Sequence, residues 1–301
     1  MTEPLTLTPT ADGSLTAYHP RCKEHYHNRA GAYTEALKNY VEPADPVAIV
    51  EKNGRLSLLD VCFGLGYNTW VLLETILASS VSGWTIHVVA IEQDPEILRF
   101  ISQILEDPRL SSLKSQTTAL EHNIYYQTQI GCSEFIQEFP KKGKILWKFF
   151  QDDLRQVIPK LDDEIDLVFH DPFSPRKLPG LWTMDLFQEY YRLLEPKQGR
   201  IYTYSAASAV RGGLQEAGFI VEKTQGVGEK SGGTVGYSDQ NATAVTNRFS
   251  QPLSEEEVSL LYAKKGVPYR DPTFCATDKT ILENRLREQR LLISKPTANQ
   301  L

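Results

Sequence analysis

Two stretches of this 301-residue chain combine residue types that can do chemistry. The first is Leu58-Leu59-Asp60-Val61-Cys62-Phe63-Gly64-Leu65-Gly66-Tyr67-Asn68-Thr69, an apolar run that ends in a glycine pair and passes into a helical pattern. Gly64 and Gly66 leave room for a ligand to approach the backbone, and the helix that follows points its N-terminal amides at that ligand. A tight strand-to-helix turn uses the same glycines, so the pair alone leaves both readings open. The next apolar run ends Val88-Val89-Ala90-Ile91-Glu92, which puts Glu92 26 residues beyond Gly66. An acid at that strand terminus can accept hydrogen bonds from both ribose hydroxyls of an adenosine cofactor. Helix capping suits Asp94, directly before Pro95, better than it suits Glu92. Asp153 follows a third apolar run, with Asp152 beside it as the alternate. It can cap the helix that begins at Leu154 or accept the adenine exocyclic amine, since both tasks need the same exposed oxygen.

The second stretch is Asp166-Leu167-Val168-Phe169-His170 running into Asp171-Pro172-Phe173-Ser174-Pro175. Proline fixes the turn so that carbonyls point inward. Asp171 can then hold an amine by hydrogen bonds, and Phe173 offers a π face to the cation that forms as the nitrogen is alkylated. Acid, proline and aromatic directly after a strand resemble the D-P-P-Y type motif of amine-directed methyltransferases. A proline-rich loop with a turn-forming aspartate is the plainer alternative. His170 alternates to the other side of its strand, away from Asp171. Cys22, His25 and His27 lack a second ligand pair at zinc-like spacing, so no metal site is expected.

These residues need elements to position them. From Leu56 onward, buried strands alternate with amphipathic helices: strands at Leu56–Phe63, Thr85–Ile91, Ile145–Phe150, Ile165–His170, Gly199–Tyr204 and Phe219–Thr224. Helices are expected at Thr69–Ala78, Glu96–Leu105 and Val210–Ala217. The alternation implies an α/β fold with a largely parallel sheet covered on both faces, whose strand C-termini share the ligand-binding edge. About 40 residues separate Leu105 from the next clear strand, longer than a usual connection. Ser133–Phe139 reads as helical, so a structured insertion near 107–144 is expected. Upstream, Asp12-Gly13 predicts a hairpin turn, and Ala36, Leu37 and Tyr40 are spaced for one helix face within Thr34–Val41. The expected organisation is an N-terminal extension (1–46), a Rossmann-like domain (47–240) and a C-terminal helical extension (241–301).

Composition excludes several classes. With 41% hydrophobic and 23% charged residues the chain is not intrinsically disordered. No apolar run is long enough to span a membrane, and the N-terminus lacks a secretory signal's basic start and apolar core. Cys22, Cys62, Cys132 and Cys275 show no paired spacing, the usage of a reducing compartment, so a cytoplasmic location is expected. A net charge of −6 argues against a nonspecific nucleic-acid coat but leaves room for a local basic patch. Such a patch is read in 264–295, where Arg285, Arg287 and Arg290 cluster, with Arg176, Lys177 and Arg211 extending it toward the ligand edge. The plainer reading is a solvated helix face with Glu283-Arg287 pairing at i,i+4.

The separate matches together resemble the methyltransferase domain of the MnmC-type tRNA wobble-uridine enzymes. The similarity runs through Glu24-His25-Tyr26-His27, Gly31-Ala32-Tyr33-Thr34-Glu35, the Asp60–Asn68 loop, His170–Lys177 with Leu181-Trp182-Thr183, and Val210–Phe219. It implies a Rossmann-like S-adenosylmethionine-dependent methyltransferase fold that methylates the 5-aminomethyl group of a wobble (2-thio)uridine in the anticodon stem-loop of tRNA. It further implies that Asp60, Gly64, Gly66, Asn68, Glu92, Asp152 and Asp153 hold the cofactor and that Tyr26 and Glu35 line the same cleft. Asp171 and Phe173 would face the target amine. Pro172 stands where the family has a small residue, and Glu229-Lys230-Ser231-Gly232-Gly233 where bifunctional members carry a Lys-Arg-Glu cluster. The chain ends at Leu301, so the stand-alone form is expected, without FAD or oxidase activity and supplied with the aminomethyl nucleoside from elsewhere. The competing readings are a methyltransferase acting on a small-molecule or protein amine, a noncatalytic binding module of the same fold and, last, an oxidoreductase. Thr69 at the third fingerprint position disfavours that last reading.

Overall fold

The computed structural model describes residues 5–126, 131–225, 232–239 and 249–294. Asp12-Gly13 turns the chain as expected: β1 (Leu7–Pro9) and β2 (Leu15–His19) pair antiparallel around it, and β3 (Glu24–His25) pairs with β2. Asp12 does more than turn the chain. Its carboxylate accepts from the backbone N–H and hydroxyl of both Ser14 and Thr34. Burial alone would raise its pKa, but those four donors hold it well below the usual carboxylate range. The helix Ala32–Ala36 continues into a π-helical turn, Leu37–Val41, which buries Ala36 and Tyr40.

The central sheet comprises β4 (Arg55–Val61), β5 (Trp84–Ile91), β6 (Cys132–Phe139), β7 (Gly143–Phe150), β8 (Leu167–His170), β9 (Arg200–Thr203), β10 (Ile220–Thr224), β11 (Thr234–Tyr237) and β12 (Ser250–Pro252). Its order is β12-β10-β11-β9-β8-β4-β5-β7-β6. The five strands from β7 to β9 run parallel, and those outside them pair antiparallel. Period-two alternation explains the covering of both faces. Leu56 and Leu58 of β4, with Ile86, Val88 and Ala90 of β5, pack on one side with Trp70 and Val71 of the helix Tyr67–Ala78. Leu59, Val61, Val89 and Ile91 pack on the other with Leu186, Phe187 and Tyr190 of the helix Met184–Leu194. The strand order reverses at β4, between β5 on one flank and β8 on the other. That is where an open α/β sheet forms its ligand crevice.

Three expectations need correction. Ser133–Phe139 is a strand, β6, pairing antiparallel with β7 in the register Phe135↔Trp147. Ser133, Gln137 and Phe139 are buried, and Phe135 stacks on Trp147 with ring centroids 5.6 Å apart. Cross-strand partners outweigh the local helical spacing. Residues 132–144 therefore belong to the sheet rather than to an insertion. The chain before them packs Leu110, Leu113, Leu120 and Ile124 into the core through short helical turns. The helix expected at Glu96–Leu105 is two, Pro95–Leu98 and Ile101–Ile104, broken at Phe100. The C-terminal segment is not wholly helical, because β12 extends the sheet before the helices Glu255–Tyr262 and Asp278–Ser294.

Gly66 has a structural reason that its spacing did not show. It adopts φ +79° at the N-cap of Tyr67–Ala78, and a Cβ there would run into the rings of Phe63 and Trp70. Gly83 has nearly the same φ, +78°, but nothing within 4 Å of its added carbon. Gly66→Ala should therefore cost roughly 2–4 kcal/mol, strain plus overpacking, while Gly83→Ala costs about 1–2 kcal/mol from the backbone alone. Urea unfolding of both proteins measures the difference; equal losses would remove the packing role.

Candidate active site

The C-terminal ends of β4, β5 and β8 meet the N-terminal extension around a cavity of about 1300 Å³. Its lining includes Tyr26, Cys62, Gly64, Glu92, Asp153, Asp171, Phe173 and Tyr204. A pocket for one small ligand is typically about 300–1,000 Å³, so two reactants have room to meet here.

Asp171 follows β8 and is half-buried. Its two carboxylate oxygens are held separately: the Tyr40 hydroxyl donates to Oδ1 at 2.7 Å, and the Asn68 amide donates to Oδ2 at 2.8 Å. Burial pushes its carboxyl pKa up, the Glu35 carboxylate adds to that, and His27, Tyr40 and Asn68 oppose it. The loop beyond it is tied at each residue. The Tyr204 hydroxyl donates to the Pro172 carbonyl at 3.0 Å, and Trp182 Nε1 to the Phe173 carbonyl at 2.8 Å. The Ser174 N–H and hydroxyl both donate to Glu24 of β3, at 3.0 and 2.6 Å. The Phe173 ring lies between those of His19 and Tyr26, with centroids 5.1 and 5.0 Å away. Phe173, two residues beyond Asp171, thus stands in an aromatic cluster that lines the cavity, and aromatic rings can attract a positive charge.

Glu92 closes β5 and is almost wholly buried. Its Oε2 accepts from the Gly64 N–H at 2.8 Å and its Oε1 from the Asp94 N–H at 2.7 Å. Burial pushes its pKa up to about 7, against those backbone donors. Each oxygen keeps a second lone pair, so the carboxylate is oriented and still able to accept from a diol. Gly64 (φ +56°) borders the cavity, and a Cβ there would stand 3.2 Å from the Tyr26 ring. A left-handed backbone, an oriented acid and an open cavity fit an adenosine-bearing cofactor.

The other expected residues divide. Asp60 is fully buried and is not among the residues that line the cavity, accepting from the Thr69 hydroxyl at 2.5 Å while its Oδ1 has no hydrogen-bond partner. Burial pushes its pKa up to about 8. Asn68, expected to hold the cofactor, is buried and donates to Asp171, as above. Gly66 packs against Phe63 and Trp70 and does not line the cavity, correcting the expectation that it spares ligand space. Asp153 caps Leu154–Val157, as one of its two readings had it, pairs with Arg155 at 2.9 Å and lines the cavity. Asp152 is exposed on the same wall. Tyr26 and Glu35 line the cavity; the Tyr26 hydroxyl donates to Asp94 at 3.4 Å, and Glu35 accepts from the Asn28 N–H at 2.8 Å. His170 turns away, packed among Trp182, Phe187 and Tyr190, and burial lowers its pKa to about 3.

Two of the expected basic contacts are structural instead. Arg211 is buried and donates to the Thr234 hydroxyl, the Gly233 carbonyl and Glu257, so it is not a surface cation. Arg285 donates to the Val267 and Lys265 carbonyls and lies over the Tyr269 ring. Arg287 and Arg290 are exposed on their helix, and Arg176 and Lys177 are exposed beside the cavity. The i,i+4 pair on that helix is Lys279–Glu283 at 3.9 Å rather than Glu283–Arg287. Residues 229–231 and 295 lie outside the described residues. Tyr40 and Tyr204 belong to the site, and no local motif in the sequence marks either. Tyr40 showed itself only as a buried helix-face position, and its neighbourhood with Asp171 arises across 131 residues of chain.

Residues 117–239 match a family described as S-adenosyl-L-methionine-dependent methyltransferase. An uncharacterized protein of Methanocaldococcus jannaschii is 28% identical over 289 residues, 96% of this chain and 74% of that protein. The tRNA 5-methylaminomethyl-2-thiouridine biosynthesis bifunctional protein MnmC of Pseudomonas fluorescens is 31% identical over 191 residues, 62% of this chain. That match spans only 27% of the bifunctional protein. The crystal structure of MnmC2 from Aquifex aeolicus superposes with a TM-score of 0.76 at 27% identity, covering 96% of this chain and 86% of that one. The fold is thus the Rossmann-like methyltransferase fold.

Asp60 supplies a test of the site's electrostatics. An unfolded Asp ionises near pH 3.9, whereas folded Asp60 keeps its proton up to about pH 8. The folded state then binds more protons across that window, so this residue's contribution to stability is complete below about pH 4 and declines as pH rises through 8. Asp60→Asn keeps an acceptor for Thr69 and removes the titration. Its unfolding free energy should fall less steeply than the parent's between pH 5 and 8, by up to about one proton's worth of slope. Parallel pH profiles from urea unfolding would show that Asp60 is ionised in the folded protein.

Proposed function

We propose that this S-adenosyl-L-methionine-dependent methyltransferase, a homologue of the methyltransferase part of the MnmC proteins, methylates the 5-aminomethyl nitrogen of a wobble (2-thio)uridine in tRNA. The product is the 5-methylaminomethyl nucleoside. The observation that carries the reading is Asp171, fixed by Tyr40 and Asn68 at the end of β8 and opening on the same cavity as Glu92. In support, the Phe173 and Tyr26 rings pack together on the same cavity, and the MnmC relatives are described as acting in 5-methylaminomethyl-2-thiouridine biosynthesis.

In this reading Glu92 accepts the ribose hydroxyls, and Asp153 or the neighbouring Asp152 takes the adenine amine. When bound, S-adenosylmethionine supplies a methyl carbon bonded to a sulfonium sulfur, which departs with the bonding pair as a neutral thioether. Asp171 accepts N–H bonds from the target amine and so aims its remaining lone pair. Holding two reactants in line can supply about 7–11 kcal/mol of barrier reduction, the largest share of the task here. As the nitrogen becomes cationic, the Asp171 carboxylate and the Phe173 and Tyr26 rings stabilise it. The extra proton then passes to solvent. The amine attacks only as the free base, so turnover should rise with pH until that form predominates.

Two substitutions separate binding from chemistry. Glu92→Ala should weaken S-adenosylmethionine binding by about 1.5–3 kcal/mol, the usual value of hydrogen bonds to a charged group; calorimetry with unchanged affinity in a folded variant removes it from ribose recognition. Asp171→Ala should lower kcat on aminomethyl-tRNA by about a hundredfold or more while leaving cofactor affinity within about threefold. Normal turnover would take Asp171 out of the mechanism. The function itself is tested by nucleoside analysis of tRNA from a deletion strain, where 5-aminomethyl nucleosides should accumulate. An unchanged profile overturns the substrate.

A further inference from the structure

The cavity is lined by both acids and cations. Glu92, Asp94, Asp152 and Asp153 line it after β5 and β7, and Arg21, Arg29 and Lys177 line it from the N-terminal segment and the loop after Asp171. Those two segments also bring Glu24 and Glu35, but both acids are engaged, Glu24 by Ser174 and Glu35 by the Asn28 N–H. Lys23 and Arg176 extend the group of cations, and all five cations are exposed. Among the described residues, none of the five takes part in an ion pair or donates a side-chain hydrogen bond. The contrast with Arg155, Arg211 and Arg270, each committed to carboxylates, is clear. In a chain of net charge −6, five uncommitted cations around one opening mark the place where an anionic partner is drawn in.

Their presentation is rigid. The turn between β2 and β3 is closed by the Lys23 N–H donating to the His19 carbonyl at 2.8 Å and the Cys22 N–H to His19 Nδ1 at 3.0 Å. Burial of Cys22 anchors it, so Arg21 and Lys23 flank a fixed point. Glu24 ties this sheet to Ser174, which brings Arg176 and Lys177 to the same rim. On the sheet, Tyr18 and His25 are cross-strand partners whose rings meet edge-on at 5.3 Å. Tyr18 is nonetheless 45% exposed. An exposed aromatic beside uncommitted cations is the pairing that single-stranded nucleic acid uses, bases stacking while the backbone tracks the charges.

We infer that the N-terminal three-stranded sheet, with the loop 174–177, is the docking surface for a single-stranded RNA loop. Arg21, Lys23, Arg29, Arg176 and Lys177 hold phosphates around the nucleotide that enters the cavity, and Tyr18 stacks on a base next to it. The inference rests on the RNA-substrate reading above and adds the face on which that substrate lies. It also moves the main electrostatic contact away from the C-terminal helix. That helix meets the 179–181 turn near its start, through Asp278 and Gly180, and nine residues at 1.5 Å rise carry Arg287 about 13 Å further along the axis.

The test measures binding of a synthetic anticodon stem-loop RNA by fluorescence anisotropy across a series of salt concentrations. The proteins are the parent, Arg21→Ala/Lys23→Ala/Arg29→Ala, Arg287→Ala/Arg290→Ala, Tyr18→Ala and Tyr18→Phe. The N-terminal triple variant should bind at least tenfold more weakly near 0.1 M salt, with the slope of log K against log salt reduced by about 2. Its cofactor affinity and melting temperature should match the parent's. Tyr18→Ala should lose about tenfold with the slope unchanged, and Tyr18→Phe should restore it. If the parent binds RNA and the triple variant binds equally well at every salt concentration, or if only the helix variant loses affinity, the assigned face is wrong and the RNA reading stands. If polyglutamate displaces the RNA at matched charge concentration, the surface is a general polyanion site and the inference fails. If the parent binds no RNA at low salt, the substrate reading fails and the inference with it.

Discussion

Three carboxylates, Asp60, Glu92 and Asp171, are carried out of water at the C-terminal ends of β4, β5 and β8, and much of the surrounding architecture answers to that placement. Moving a carboxylate into low dielectric costs several kcal/mol unless donors replace its hydration. Each of the three is met by donors, and the glycine loop with the start of its helix supplies at least one to every acid. Thr69, in the first turn of the helix after the glycine loop, serves Asp60. The Gly64 and Asp94 amides serve Glu92, and Tyr40 with Asn68 serves Asp171. A parallel sheet delivers the three acids to one edge because its strands end on the same side. Residual desolvation raises the pKa of all three, and Glu92 and Asp171 line the cavity, where a ligand can add donors.

The N-terminal extension is therefore a wall of the site. Its Tyr26 ring abuts Gly64, its Glu24 grips Ser174, and its Tyr40 orients Asp171. It is fastened to the sheet domain by further bonds, from the Leu15 N–H to the Tyr67 hydroxyl and from the Tyr202 hydroxyl to the Pro43 carbonyl. The π-helical turn at Leu37–Val41 is part of this fastening, since it sets the Tyr40 hydroxyl between Asp171 and the Tyr204 N–H. Such turns recur where a side chain must be re-aimed within a helix.

Cations are sorted by commitment rather than by domain. Acids line the cavity throughout, while exposed cations without an ion pair collect on the N-terminal segment and the loop after Asp171. Cations elsewhere hold the fold together: Arg155 ties Asp153 to the Ala276 carbonyl, Arg211 braces Gly233, and Arg270 bridges Glu216 and Glu288. A count of local charge cannot separate these two uses. The cluster at 285–290 illustrates this, since Arg285 is committed to backbone carbonyls while Arg287 and Arg290 remain exposed.

What could be read from the chain alone were features encoded within a few residues. The apolar runs at 56–63, 85–91 and 165–170 specify strands buried on both faces, and Asp12-Gly13 specifies a hairpin. The positions of Glu92 and Asp171 at strand ends then follow from β/α alternation, as does the turning away of His170. Long-range pairing decided the rest. Ser133–Phe139 carries a pattern open to helix or strand, and only β7 alongside it settles the matter. Gly66 looks like a ligand-facing glycine until Phe63 and Trp70 are seen to fill the space beside it. Arg211 looks like a surface cation until β11 and Glu257 enclose it. Tyr40 and Asp171 stand 131 residues apart in sequence and 2.7 Å apart in space. Hydrophobic periodicity is a local property of the chain, whereas the partner of a buried polar group is set by whichever distant segment the packed core brings beside it.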